Sequence, residues 1–221
     1  TNVTTVIPYF ESFIEKWPKI DILSKANLSE ILIMWSGLGY YSRARNIHLC
    51  SSIINSKYNN SFPDTEKELL QLPGIGKYTA AAILAIAFNK RAIVIDGNIK
   101  RVISRLFFLK KPLQKNYQEI WNFTNIITPH LRVGDFVQSL MDLGSQICTP
   151  SKPKCYKCPV IKNCKAKLNE YENLIPIKNK KNIRARMKGS SYIITRGQKF
   201  LIYKRLDRGL LASMDALPSV G

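Results

Sequence analysis

No stretch of this 221-residue chain approaches the roughly 20 consecutive apolar residues that a membrane span requires, which sets aside an integral membrane helix. The opening residues, Thr1 to Thr5, lack the charged-then-apolar order of a secretion signal, so the expected location is the cytoplasm. No internal repeat or low-complexity tract is present, which argues against a solenoid. Acidic side chains are scarce: 15 Asp and Glu stand against 34 Lys and Arg, a net charge of +19. A field of that sign draws phosphate backbones, and counterion release then drives binding without regard to base sequence. A Lys-rich composition bias is the plainer explanation of the same number. The excess is uneven, however: Pro150 to Ser190 holds ten Lys and two Arg against only Glu170 and Glu172, a basic, loop-rich surface suited to phosphate contact.

With 45% hydrophobic residues the chain can bury a core for one or two domains. Apolar residues recur at three- and four-residue spacing in Val6 to Trp17, Leu28 to Trp35, Ala44 to Ile54, Leu113 to Ile127 and Phe136 to Ile147, which predicts packed helices. Ala80 to Phe88 is apolar on every face and predicts a buried central helix. Residues 1–165 therefore read as a mainly α body, and the polar, basic stretch 166–190 reads as a linker. Beyond it, Tyr192 to Thr195 and Lys199 to Tyr203 flank Arg196, Gly197 and Gln198 in a hairpin-like pattern. Two short strands do not stand alone, so 191–221 reads as the opening of a second domain.

Four of the five cysteines, Cys148, Cys155, Cys158 and Cys164, fall within seventeen residues, with six, two and five residues between them. In an intracellular chain this clustering argues for metal, and thiolates serve zinc and iron–sulfur clusters alike. Cys50 lies apart on an apolar helical face and reads as an inert core residue.

Leu72-Pro73-Gly74-Ile75-Gly76-Lys77-Tyr78-Thr79-Ala80 sits between two helical runs. Its glycines remove side-chain bulk, letting backbone N–H groups and a helix N-terminus approach a phosphate. A tight interhelical turn without a ligand is the bland alternative, but Pro73 and Lys77-Tyr78-Thr79 in register make it a helix–hairpin–helix signature. Eighteen residues after Tyr78 comes Asp96, following the aliphatic run Ala92 to Ile95 and preceding Gly97 and Asn98. Taken alone, Asp96 reads as a helix N-cap.

Taken together, these motifs resemble the helix–hairpin–helix DNA glycosylases related to endonuclease III. The cysteine spacing is similar to the [4Fe–4S] loop of that superfamily. The resemblance is closest to the MutY family, adenine DNA glycosylases acting opposite 8-oxoguanine. It is carried by Thr5-Val6-Ile7-Pro8-Tyr9-Phe10-Glu11, by Gly37-Leu38-Gly39-Tyr40-Tyr41-Ser42-Arg43-Ala44-Arg45, and by Met141-Asp142-Leu143-Gly144 running into Cys148.

The resemblance implies a monofunctional adenine DNA glycosylase of base excision repair, a monomer at the nucleoid whose partner is double-stranded DNA carrying adenine mispaired with 8-oxoguanine or guanine. It implies that Asp96 faces the positive charge that develops on deoxyribose as the base leaves, a use of a fixed carboxylate that favours the transition state over the neutral ground state. Endonuclease III-like enzymes place a lysine where this chain has Tyr78, so no Schiff base and no strand cleavage are expected. Tyr40 is expected to wedge into the duplex, with Leu38 and Thr1 near the 8-oxoguanine and Gly74, Gly76, Lys77, Thr79 and Asn98 at the DNA. Cys148, Cys155, Cys158 and Cys164 are the expected ligands of the [4Fe–4S] cluster.

The sequence departs from the family pattern in two places. The family's general acid is a glutamate upstream of the position of Thr1, so the polypeptide is expected to bind DNA but excise adenine poorly. Tyr192 to Pro218 resembles the start of a Nudix-like domain, cut short and without the aromatic expected before Pro218. A thymine mismatch glycosylase and a non-catalytic helix–hairpin–helix DNA-binding module are the competing readings.

Overall fold

The computed structural model describes residues 3–113, 115–177, 188–206, 211–212 and 214–220. They fall into two compact units, residues 1–179 and 180–221.

The first unit is all helical among its described residues: α1 (Val3–Lys16), α2 (Ile20–Ser24), α3 (Leu28–Met34), α4 (Tyr41–Tyr58), α5 (Glu66–Leu69), α6 (Lys77–Ile86), α7 (Gly97–Leu106), α8 (Tyr117–Ile127), α9 (Val133–Asp142) and α10 (Lys165–Leu168). The periodic runs mark these helices well, with bounds that differ by a few residues. The run expected from Leu113 starts its helix only at Tyr117, after a turn in which Asn116 Nδ2 donates to the Lys111 carbonyl at 2.6 Å. The run expected to Ile147 leaves α-helical geometry after Asp142 and finishes as a π-helical turn, Leu143–Ile147. Two short helices, α2 and α10, escape the periodicity because five and four residues are too few to show it.

Small residues put α6 at the centre. Ala80 and Leu84 pack with Cys50, Ile54, Leu69 and Leu72 in one cluster. Ala81 and Ala85, one position on, pack with Ile99, Val102, Ile103, Ile120, Val137 and Leu140 in another. Alanine lets the neighbouring backbones come close: a Cβ on Gly134 of α9 would stand 2.9 Å from the Ala85 carbonyl oxygen. The expected burial on every face is not complete, since Ile86 at the end of α6 is exposed. A third cluster joins Trp17, Leu23, Ile31 and Ala44.

Part of the stretch expected as a linker, 166–190, belongs to this unit. Ala166 and Ile175 are buried, the Tyr171 amide donates to the Ala166 carbonyl at 2.8 Å, and α10 packs on α7. Residues 178–187 lie outside the described residues.

Among its described residues the second unit contains three antiparallel two-residue pairings. Strand β1 (Ser190–Ser191) pairs with β6 (Ser219–Val220), β2 (Thr195–Arg196) with β3 (Lys199–Phe200), and β4 (Tyr203–Lys204) with β5 (Asp215–Ala216). The expected hairpin is present around Gly197 and Gln198, with Gly197 at φ +62, the sign a tight two-residue hairpin loop demands.

Candidate nucleic-acid interface and cysteine loop

The hairpin is built by α5, a turn through Gly74, and α6. Gly74 has φ +78, and a Cβ there would fall 2.7 Å from Asn46 Cβ on α4, so both conformation and space require glycine. Gly76 is the N-cap of α6, in extended conformation with no side-chain cap and open space where a Cβ would stand. The first amide of α6 with an intrahelical partner is that of Ala80, donating to Gly76 at 2.9 Å. The N–H groups of Lys77, Tyr78 and Thr79 therefore point out of the helix end, as first-turn amides do. A row of free donors on the positive end of a helix dipole, with the exposed Lys77 beside it, suits a phosphate oxygen. Gly74→Ala should cost about 1–3 kcal/mol through backbone strain and the Asn46 clash, and should weaken DNA binding more than its stability loss explains. Urea unfolding and a binding titration on the same sample measure the two effects.

Asp96 caps α7. Its Oδ1 accepts from the Ile99 amide at 2.6 Å, as the plain reading of that residue anticipated. The same half-buried carboxylate lies within electrostatic reach of Tyr78. Burial pushes the Tyr78 hydroxyl above its usual range, and the negative charge of Asp96 adds to the effect. The Tyr78 ring, 46% exposed, borders a hollow with Lys77, Ile93, Ile95 and Trp121. Asp96 does not line that hollow. Its two chain neighbours lie at separate hollows, Ile95 here and Gly97 at another, with Arg101, Lys110 and Tyr171.

The segment after α3 turns sharply. Gly37 (φ +95), Gly39 (φ +69) and Tyr40 (φ +51) all take positive φ. The turn is tied down by Tyr9 Oη donating to the Ser36 carbonyl and Trp35 Nε1 donating to the Gly39 carbonyl, both at 3.0 Å. Tyr40 is thereby thrown outward, 79% exposed, while Leu38 and Tyr41 are half-buried. Thr1 lies outside the described residues.

The four cysteines come together. Cys148 follows the π-helical turn, Cys155 opens the 3-10 turn Cys155–Lys157, and Cys158 and Cys164 bracket the 3-10 turn Ile161–Asn163. All four line one small hollow, together with Arg105, Lys167 and Glu172. Burial pushes the thiols of Cys155 and Cys158 up, so metal capture here must displace protons. Among the described residues, no three His, Cys, Asp or Glu side chains converge tightly enough for a single ion. Zinc holds four sulfurs at about 2.3 Å, which brings them within roughly 4 Å of one another. A four-iron cluster gives each iron one thiolate and spreads the sulfurs wider. The donor set, all sulfur around one shared cavity, fits the second group better.

Two arginines of α7 hold this loop, and sequence reasoning missed both. Arg105, 2% exposed, donates to the carbonyls of Ile175 (2.7 Å), Cys148 (3.2 Å), Thr149 (2.7 Å) and Pro150 (3.3 Å), and to Cys148 Sγ (3.2 Å). Arg101 donates to the carbonyls of Cys148 (2.7 Å) and Gly144 (2.5 Å) and to Asn98 Oδ1 (2.9 Å). Asn98, expected at the DNA, thus has its side-chain oxygen engaged inside the fold. It also packs tightly: a Cβ on Gly144 would stand 2.6 Å from Asn98 Cβ. Burial runs round most of α7, taking in Ile99, Val102 and Ile103 on one face and Arg101 and Arg105 on the opposite one, so the apolar spacing carried no signal for the two arginines.

Fold and site together define a helical body that presents a glycine hairpin and a sulfur-lined loop braced against the helix after the hairpin. Residues 1–124 match the family model described as HhH-GPD superfamily base excision DNA repair protein, and this chain belongs to that superfamily. The chain is similar to the adenine DNA glycosylase of Buchnera aphidicola subsp. Baizongia pistaciae, 41% identical over 99% of this chain and 62% of that protein. It is also similar to the adenine DNA glycosylase of Mus musculus, 40% identical over 75% of this chain and 33% of that protein. Among solved structures, a thermostable thymine-DNA glycosylase superposes with a TM-score of 0.66 at 32% identity, covering 74% of this chain and 76% of that one. A non-covalent endonuclease III–DNA complex superposes with a TM-score of 0.64 at 25% identity, covering 76% and 78%. The chain spans 62–64% of the length of the Buchnera relatives.

Proposed function

We propose that this chain is the DNA-binding and catalytic body of a monofunctional adenine DNA glycosylase, which hydrolyses the N-glycosidic bond of adenine mispaired with guanine or 8-oxoguanine. The observation that carries the reading is the placement of Asp96 within electrostatic reach of Tyr78, at the first turn of the hairpin's second helix. The Buchnera and mouse proteins that resemble this chain bear that activity in their names.

The chemistry follows from the residues. The free amides of Lys77, Tyr78 and Thr79 take a phosphate and fix the strand. Tyr40 enters the stack, replacing part of what is lost when a base is extruded, a cost of a few kcal/mol. As adenine departs, positive charge builds on the deoxyribose, and the Asp96 carboxylate stabilises it in a partly dry site where fixed charge acts strongly. Water then bonds through its oxygen to the sugar carbon in place of the broken bond to adenine, and the proton balance closes with one proton on the departed base. Tyr78 offers a ring and a hydroxyl but no amine, so the DNA strand stays intact. Cys148, Cys155, Cys158 and Cys164 would hold a [4Fe–4S] cluster, which when bound cross-links the loop and orders its lysines. Residues 191–221 fit the opening of a Nudix-like domain that reads the opposite base.

The thymine-DNA glycosylase likeness favours one rival, removal of thymine from mismatches on the same scaffold. The protein carrying this chain, given duplexes with adenine or thymine opposite guanine and adenine opposite 8-oxoguanine, should release adenine at least about tenfold faster than thymine, with no strand nick before alkali. Faster thymine release would replace adenine with thymine as the substrate. Release of neither base would end the enzymatic reading.

A further inference from the structure

Tyr156 has no part in the chemistry above. It lies between two cluster cysteines, in the turn Cys155–Lys157, and its ring is 79% exposed. A single exposed aromatic is ordinary on a protein surface. Its surroundings are not. Lys152, Lys154, Lys157, Lys162 and Lys165 fall within fourteen residues, and no acid occurs from Thr149 to Asn169. Among the described residues none of these five lysines is ion-paired, and Lys157 Nζ lies 5.8 Å from the Tyr156 ring centroid.

The turn is also held in place. The Lys154 amide donates to the Ile147 carbonyl at 2.9 Å, the Cys158 amide to the Cys155 carbonyl at 3.0 Å, and Arg105 fastens the start of the loop at Thr149. A ring presented outward on a fixed turn, among five lysines without an ion pair, has the composition of a nucleobase platform: cations track the backbone, and the π-face takes a base that has left its stack. Paired DNA offers no such face.

We propose that Tyr156 is a stacking platform for an unstacked DNA base, so that the cysteine loop favours DNA that is already opened. This inference rests on the DNA-binding reading above and adds to it a site and a ligand class.

The test uses the whole protein, a labelled oligothymidine strand and a fully paired duplex, titrated over a range of salt. Tyr156→Ala should weaken binding of the single strand about tenfold and leave the paired duplex within about twofold. Its slope of log Kd against log salt should not change, because no charge is lost. Tyr156→Phe should bind like the parent, since the ring carries the contact. Should the alanine variant fail to fold, Tyr156→Leu takes its place with the same expected loss. Unchanged single-strand affinity overturns the proposal, as does an equal loss on both DNAs or a loss repeated in the phenylalanine variant. If adenine is released while Tyr156→Ala binds the single strand normally, this inference fails and the glycosylase reading stands. If no base is released while the expected losses appear, the reverse holds.

Discussion

In the protein carrying this chain, Asp96→Asn should reduce adenine excision by at least about a hundredfold while leaving the fold and DNA affinity close to those of the parent. The expectation separates two jobs that one side chain performs. Asp96 Oδ1 caps α7 by accepting from the Ile99 amide at 2.6 Å, and asparagine caps a helix as well as aspartate does. The carboxylate charge, by contrast, has no substitute. Loss of one fixed electrostatic contact to a developing charge costs about 2.7–4 kcal/mol of transition-state stabilisation in a dry site, which is roughly a hundred- to a thousandfold in rate. Asp96→Ala should lose the same activity and, in addition, about 1 kcal/mol of stability through the cap. Single-turnover release of adenine, read beside thermal unfolding of both variants, distinguishes the jobs. Full excision by the asparagine variant would leave Asp96 as a cap and nothing more.

Arg105→Met should destabilise the protein by about 3–5 kcal/mol and release the cysteine loop, one of the larger single effects available in this chain. The guanidinium serves the carbonyls of Cys148, Thr149, Pro150 and Ile175, four backbone acceptors in two segments far apart in sequence. Methionine fills similar volume but donates nothing, so these buried acceptors go unpaired. Lysine should not rescue the loss, because a single ammonium cannot reach acceptors disposed around a planar fork. Urea unfolding reports the stability, and the absorption near 400 nm expected of the proposed iron–sulfur cluster reports the loop. A loss below about 1 kcal/mol, with full absorption, would show that the loop is held by its own turns and not by α7.

These two residues differ in how far the sequence betrays them. Asp96 could be picked out because it follows a hairpin motif at short range, and both of its possible roles were readable there. Arg105 could not. An arginine on a helix is by default a solvated residue, and only the packing of α7 against Ile175 and the Cys148 loop, seventy and forty-three residues away, makes it a buried strut. Asn98, expected at the DNA, gives its side-chain oxygen to Arg101, a partnership that its place in the sequence does not reveal. Tyr40 and Tyr41 were indistinguishable as letters, and the positive φ at Gly37, Gly39 and Tyr40 turns the first outward and leaves the second half-buried.

Order along the chain was enough for the helical class, the glycine hairpin, the four-cysteine loop and the charge that suits a polyanion, because periodicity, turn chemistry and ligand spacing act over a handful of neighbouring residues. Which polar side chains are buried, which face the solvent, and that Asp96 comes within electrostatic reach of Tyr78 depended on how α6, α7 and the loop pack. Burial and electrostatic reach are properties of distance in space, and a sequence records only distance along the backbone.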